Sequence, residues 1–449
     1  MPRWLYFLLL FTVLAIIFDF FPFPPLFLFV IAGLGIVPLA GLVGVAVEEI
    51  AERTGERIGG LLFATFGNAT ELIIGILALT KGLVSVVSAS IIGSILGNAL
   101  LVLGVAVCIG GFKHGRLHFE ARPASQYASL LALSIGGLLL PTIAMLFAER
   151  AHQPFIAEHL IMLSDFVAVL LLLGYISFIL FSVFGIGDKG ENPQDQQERE
   201  IEQQEPLFGP YSAAALARLL AYRHQIAHGT VTATRSGVLR QLDSAANAVA
   251  QDININASKS TVLAKASNFT DIGNPPASAH MPVSVTGSGD EAKTPPPLWR
   301  SIGLLALATI GVALLSEILV GTIDPMTTVL HWNPAFVGLI FVPLIGGIPE
   351  YFNTITMALD KRMGMVLASS AGSSIQIALL MAPILVLISL FMPGRLDLVF
   401  SLVEISVLAL ATFLFSEITK DGELVWLEGF LLILLYAMMG GTVFLFGNA

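Results

Sequence analysis

Of 449 residues, 55% are hydrophobic and 12% charged, about half the charged share of an ordinary soluble domain, and the mean hydropathy is +0.84. Such a chain is excluded from the soluble globular class and belongs in a bilayer. Its net charge of −10 argues against a nucleic-acid partner, and its single cysteine, Cys108, excludes internal disulfides and any cysteine-built metal site.

A helix needs about 20 apolar residues to cross the hydrocarbon. On that measure the chain predicts spans near 4–20, 26–47, 58–80, 84–111, 125–147 and 158–184. After a long polar interval it predicts five more, near 298–320, 333–358, 364–391, 396–416 and 426–447. The first resembles a signal peptide, but Asp19 and the run FPFPP follow it in place of a small-residue cleavage site, so it reads as a retained helix. Basic residues set the orientation. With the N-terminus in the cytoplasm, Arg53, Arg57, Lys113, Arg116, Arg122, Lys361, Arg362 and Lys420 all fall inside, and only Lys81, Arg150 and Arg395 fall outside. The N-terminus is then inside and the C-terminus outside.

Glu71 lies in the motif GNATELIIG, within a run that has no other charge between Arg57 and Lys81. A carboxylate near the middle of an apolar span is costly and marks a functional site by default. A shift of 279 maps Gly67, Glu71, Val87, Ser90, Gly93, Ser94 and Leu100 onto Gly346, Glu350, Val366, Ser369, Gly372, Ser373 and Leu379. In each half a lone intramembrane glutamate precedes a Gly-Ser pair at the same spacing. The chain therefore reads as a duplication. On the predicted topology the Glu71 and Glu350 helices run in opposite directions, which makes the duplication an inverted repeat. The fold expected is an all-α multi-pass membrane protein of about eleven transmembrane helices, one extra N-terminal helix plus two inverted five-helix repeats. Its parts are an N-terminal helix (1–24), a first repeat (25–184), a cytoplasmic loop (185–297) and a second repeat (298–449). The loop opens with an acidic stretch, Asp188 to Glu205, plausible as a short helix. The rest is rich in Ala, Ser, Thr, Asn and Gly and reads as mostly disordered linker, with an amphipathic helix over 213–227 as the alternative.

Both motifs carry helix breakers. Pro349 has no amide hydrogen to offer the Ile345 carbonyl, Gly346 and Gly347 precede it, and Gly67 and Asn68 stand one turn before Glu71. Irregular backbone, a carboxylate and small polar side chains make an oxygen-rich site of the kind hard cations such as calcium choose. Ser94, Asn98, Ser373 and Gln376 can add oxygen, whereas neither motif contains the histidine or cysteine that zinc or copper would want. His114 and His118 have helical spacing but belong to a basic loop. Asp165 and Glu404 are intramembrane acids without a repeat counterpart, candidates for a proton path or outer vestibule. Glu48, Glu49 and Glu52 read as a solvated helix end.

GNATELI at Gly67, GSILGNALLVLG at Gly93, GSSIQIALLMAPILVL at Gly372 and DGELVWLEG at Asp421 together resemble the calcium/proton exchanger family of calcium/cation antiporters. The resemblance implies eleven helices, two inverted repeats and a cytoplasmic acidic helix between them. It also implies that Glu71 and Glu350 bind the ion with Asn68, Ser94, Ser373 and Gln376 close by. Two departures stand out. The family's second motif usually reads Gly-Asn-x-x-Glu-His, where this chain has Gly347 and Tyr351, and Pro349-Glu350 is similar to the sodium/calcium exchanger branch.

The function expected is a secondary transporter, not an enzyme and without a cofactor, that exchanges calcium for protons at two mid-depth glutamates. Its partners are then calcium, protons and the lipid bilayer, with a homo-oligomer possible and the plasma (inner) membrane the expected site. A sodium-driven exchanger and a calcium-permeable channel are the alternatives. Because nothing in residues 206–297 has core-forming periodicity, deleting them while keeping Asp188 to Glu205 should leave folded, transporting protein. Size-exclusion profiles and vesicle flux of the deletion variant check this.

Overall fold

The computed structural model describes residues 5–54, 61–62, 65–151, 159–182, 184 and 297–446. The acidic stretch at 188–205 and the alternative helix at 213–227 lie outside the described residues. The rest is almost entirely helical. In chain order the first half has α1 (Leu5–Asp19), α2 (Pro25–Thr54), α3 (Ala69–Thr80), α4 (Val84–His114), a short strand β1 (Arg116–His118), α5 (Ala121–Ala151) and α6 (Leu160–Ser182). The second half has α7 (Leu298–Leu330), α8 (Pro334–Gly346), α9 (Ile348–Leu359), α10 (Met363–Phe391), α11 (Leu402–Ile418), strand β2 (Glu423–Val425) and α12 (Trp426–Phe446). Seven described helices are long and apolar enough to cross a membrane, eight if α8 and α9, bent by 57° at Gly347, count as one broken span. α1 and α3 are shorter apolar helices, and α11 has 17 residues.

The 279 shift is visible in the backbone itself. It carries the limits of α3 onto those of α9. α4 and α10 both leave α geometry for a π turn, at 97–102 and 377–381, one residue from exact correspondence. A π turn inserts a residue into a helix and re-aims the side chains around it. Contacts at the helix ends show the inversion. His114 at the end of α4 has Nε2 2.8 Å from the carbonyl oxygen of Leu359, the last residue of α9. At the other end of the molecule Gly394, just past α10, packs on Val84 and Gly82 where α3 gives way to α4. α4 thus runs from the end of α3 to the end of α9, and α10 makes the reverse journey. The two glutamate helices therefore end at opposite faces.

Four features differ from the sequence reading. The span expected at 396–416 starts only at Leu402, because residues 392–401 form no helix. Leu396, Leu398 and Phe400 alternate inward there. Their amides would be orphaned in an apolar layer, and buried hydroxyls meet them instead: Leu396 N–H donates to Ser389 Oγ, Leu398 N–H to Ser164 Oγ and Phe400 N–H to Thr142 Oγ1. Asp165 is no free intramembrane acid, since Arg395 of this segment clamps both its oxygens at 2.8 Å. Nor is Glu404, which closes a capping box with Ser401 at the start of α11. His114 caps α9 through the Leu359 carbonyl, and His118 in β1 faces Glu423 across the two-stranded sheet. Glu49, read as solvated, accepts a 2.6 Å hydrogen bond from buried Ser301 and ties α2 to α7.

The glycine pairs of the repeat are not in equivalent surroundings. A Cβ on Gly93 would collide with the backbone carbonyl of Leu339, and one on Gly338 with that of Val86, so α4 and α8 touch backbone to backbone. Gly372, the repeat partner of Gly93, has nothing within 4 Å of such a Cβ. Gly93→Val should accordingly force α4 and α8 apart at a cost of about 1–3 kcal/mol, while Gly372→Ala should be neutral or slightly stabilising. Thermal unfolding of the two variants in detergent, beside the unsubstituted protein, checks this contrast.

Candidate functional site

Helix breaks place the two glutamates. In the first half Gly67 and Asn68 form a turn, and α3 begins at Ala69, which puts Glu71 in its first turn. In the second half α8 ends at Gly346, and α9 restarts with Pro349 in its first turn, where its missing N–H costs nothing, followed by Glu350. Both carboxylates thus sit at helix N-termini, where free amides and the positive end of the macrodipole favour negative charge.

The halves then interlock. Glu71, 2% exposed, lies against the break in the other half: a Cβ on Gly346 would be 2.7 Å from Glu71 Cγ and 3.0 Å from Oε1, and one on Gly347 would be 3.8 Å from Oε1. Glu350 is within electrostatic reach of Glu71. Asn68 Nδ2 donates to Gln376 Oε1 at 3.0 Å, joining the two repeats. Ser370 Oγ donates to the Asn98 carbonyl and Ser374 Oγ to that of Ile95, which pins α10 to the π turn of α4. Asn98 contributes in this way through its backbone.

A cavity of about 340 Å³ reaches this region. Glu350, Ser373 and Gln376 line it, together with Asn353 and Ser369, between an apolar wall of α2 and the aromatic rings of Tyr127 and Phe178. Glu71, Asn68 and Ser94 lie behind it and are buried. Among the described residues, seven buried side-chain polar atoms have no hydrogen-bond partner, and four of them are Asn68 Oδ1, Glu71 Oε2, Ser94 Oγ and Glu350 Oε2. A buried polar atom without a partner costs roughly 1–3 kcal/mol, so these oxygens call for a partner from outside the chain, an ion or ordered water. All four are oxygens, the donor set of a hard cation. The fold brings together five of the residues singled out by sequence, Asn68, Glu71, Glu350, Ser373 and Gln376, and buries Ser94 on α4. Sequence reasoning missed Asn353 and Ser369. Ser369 was available as the repeat partner of Ser90, whereas Asn353 has an isoleucine as its partner and gave no such signal.

The family model described as sodium/calcium exchanger protein matches residues 24–184 and 300–445, both repeats and little of the interval between them. The chain belongs to that family. Among similar members, a Ca(2+)/H(+) antiporter of Synechocystis is 32% identical over 93% of this chain and 90% of its own length. Another of that description from Aphanothece halophytica is 30% identical over 97% of this chain and 95% of its own. The crystal structure of a Ca2+/H+ antiporter protein, YfkE, superimposes with a TM-score of 0.65 at 26% identity, covering 99% of this chain and all of that one. Within the exchanger fold, Gly347 has a reason to lack a side chain, because a Cβ there would be 2.9 Å from the Pro343 carbonyl oxygen.

Gly346→Ala should displace the Glu71 side chain, since neither the carboxylate nor the helix break can yield without moving the other. Calcium should then no longer raise the thermal midpoint of the purified variant, while far-ultraviolet circular dichroism stays unchanged.

Proposed function

We propose that this exchanger extrudes calcium against inward proton flow, with both ions competing for Glu71 and Glu350 near mid-depth in the bilayer. The observation that carries the reading is the set of four unpartnered oxygens on Asn68, Glu71, Ser94 and Glu350. Ser373 and Gln376 border the same region from the cavity side. Paired carboxylates in apolar surroundings cannot both stay ionised without a counter-charge. One calcium ion supplies it, or a proton on each carboxylate removes the need. A site that crosses loaded with calcium or with protons, and not empty and charged, couples the two flows. That is a transporter's action and needs no cofactor. The names of the Synechocystis and Aphanothece relatives support calcium and protons as the exchanged ions.

The topology goes with this reading: N-terminus and the 185–297 interval on the cytoplasmic side of the plasma membrane, C-terminus outside, and the cavity open to the cytoplasm. It opens on the face that carries the ends of α2, α6 and α9 and the start of α5. On this reading the close backbone contact of α4 with α8 is what shuts the opposite approach. Alternating access then exchanges the surroundings of Gly93 and Gly372.

The ligands counted suffice for one divalent ion with water, and they are few for several sodium ions besides. In reconstituted vesicles an imposed proton gradient should drive calcium flux, and a sodium gradient at fixed pH should not. Glu71→Gln and Glu350→Gln keep the shape, remove the charge and should each abolish that flux. Sodium-driven, pH-independent flux would instead assign the protein to sodium coupling and give Pro349-Glu350 its meaning. Near-normal flux in either glutamine variant would refute the shared site.

A further inference from the structure

The two carboxylates are related by the repeat, but the routes leading to them are not. On the open route the cavity is lined by Glu350, Asn353, Ser369, Ser373 and Gln376. The 279 shift returns Glu71, Ile74, Ser90, Ser94 and Gly97 for the opposite route. The acid and both serines are the same on each side. What differs is two amides: Asn353 becomes Ile74 and Gln376 becomes Gly97. Ile74 is 1% exposed, part of the main apolar core, and nothing replaces the missing side chain at Gly97, whose nearest neighbour in that direction is Pro343 Cβ at 3.8 Å.

Asn353 is the informative member. It stands three residues after Glu350 on α9, on the same helix face and one turn nearer the mouth. Its side chain is exposed to the cavity, and it forms no hydrogen bond with any described residue. Gln376, in contrast, is engaged by Asn68. A divalent ion coming from the mouth must shed water before it reaches Glu350, and a free amide oxygen replaces water in its shell. The mirror route offers an isoleucine at that step.

Resting on the cation-exchange reading above, we infer that the route open in this structure is a high-affinity entrance for divalent cations and the mirror route a low-affinity exit, with Asn353 as the positioning residue that makes the difference. The two faces thereby differ in the calcium concentration at which they saturate, while the direction of net flux is set by the ion gradients alone.

The test uses the full-length protein in everted and in right-side-out membrane vesicles, with proton-driven uptake of radiolabelled calcium measured against calcium concentration. The unsubstituted protein should show a lower KM at one face. Asn353→Ile should raise KM at that face by about three- to tenfold, the size of one lost hydrogen-bonding partner. The KM at the other face should not change. Asn353→Gln should return KM to within about twofold, since one oxygen at that step replaces another. An unchanged KM at both faces, an equal rise at both, or failure of the glutamine rescue, with calcium flux intact, overturns the inference and leaves the exchange reading standing. Absence of any proton-driven calcium flux in the unsubstituted protein defeats the exchange reading itself. Because Asn353 is exposed, its substitutions leave the core untouched; should the isoleucine variant aggregate, Asn353→Ala carries the same expectation.

Discussion

A negative charge in an apolar layer has to be compensated at every moment, and the described structure follows from that constraint. The compensation is built twice. Each glutamate is set at the N-terminus of a broken helix, where backbone amides face it, and each is left one oxygen short of a full set of partners. Breaking the helix also has a cost, because the freed backbone groups need satisfaction too. The chain meets that cost with glycines that let the other half come close. Glu71 rests on the Gly346-Gly347 break, so one half of the protein completes the site of the other.

The same logic explains features that carry no ion. Residues 396–401 form no helix where one was expected, and three buried hydroxyls from α5, α6 and the end of α10 satisfy amides there. Asp165 is held by Arg395 with two hydrogen bonds, and Glu404 is consumed by its cap. These acids are paired with a partner on another element or on their own helix end. Glu71 and Glu350 instead keep an unpartnered buried oxygen, which sets them apart from these acids.

Symmetry and asymmetry have separate tasks in this molecule. The repeat makes α3 and α9 mirror each other in length and end at opposite faces. The departures from the repeat decide what each route is like. Gly93 is closed on the Leu339 backbone while Gly372 is open, a difference of conformation. Asn353 against Ile74 is a difference of chemistry that no conformational change can exchange.

Much of this was legible in the amino-acid order. Hydropathy located most of the helices, the 279 shift paired the glutamates, and Gly67, Asn68, Gly346, Gly347 and Pro349 announced the breaks, because each of these signals is carried by the residue order itself. The capping box at Ser401 and Glu404 was also present in sequence, and it marked the late start of α11 better than hydropathy, which cannot tell an apolar strand from an apolar helix. Other properties belong to tertiary structure alone. That Asn68 reaches Gln376, 308 residues away, that Arg395 claims Asp165, and that Asn353 faces a cavity while Ile74 is enclosed depend on which surfaces meet. Local pattern sets the helix and the position of its break; which partner a side chain meets is decided only when the two halves pack against each other.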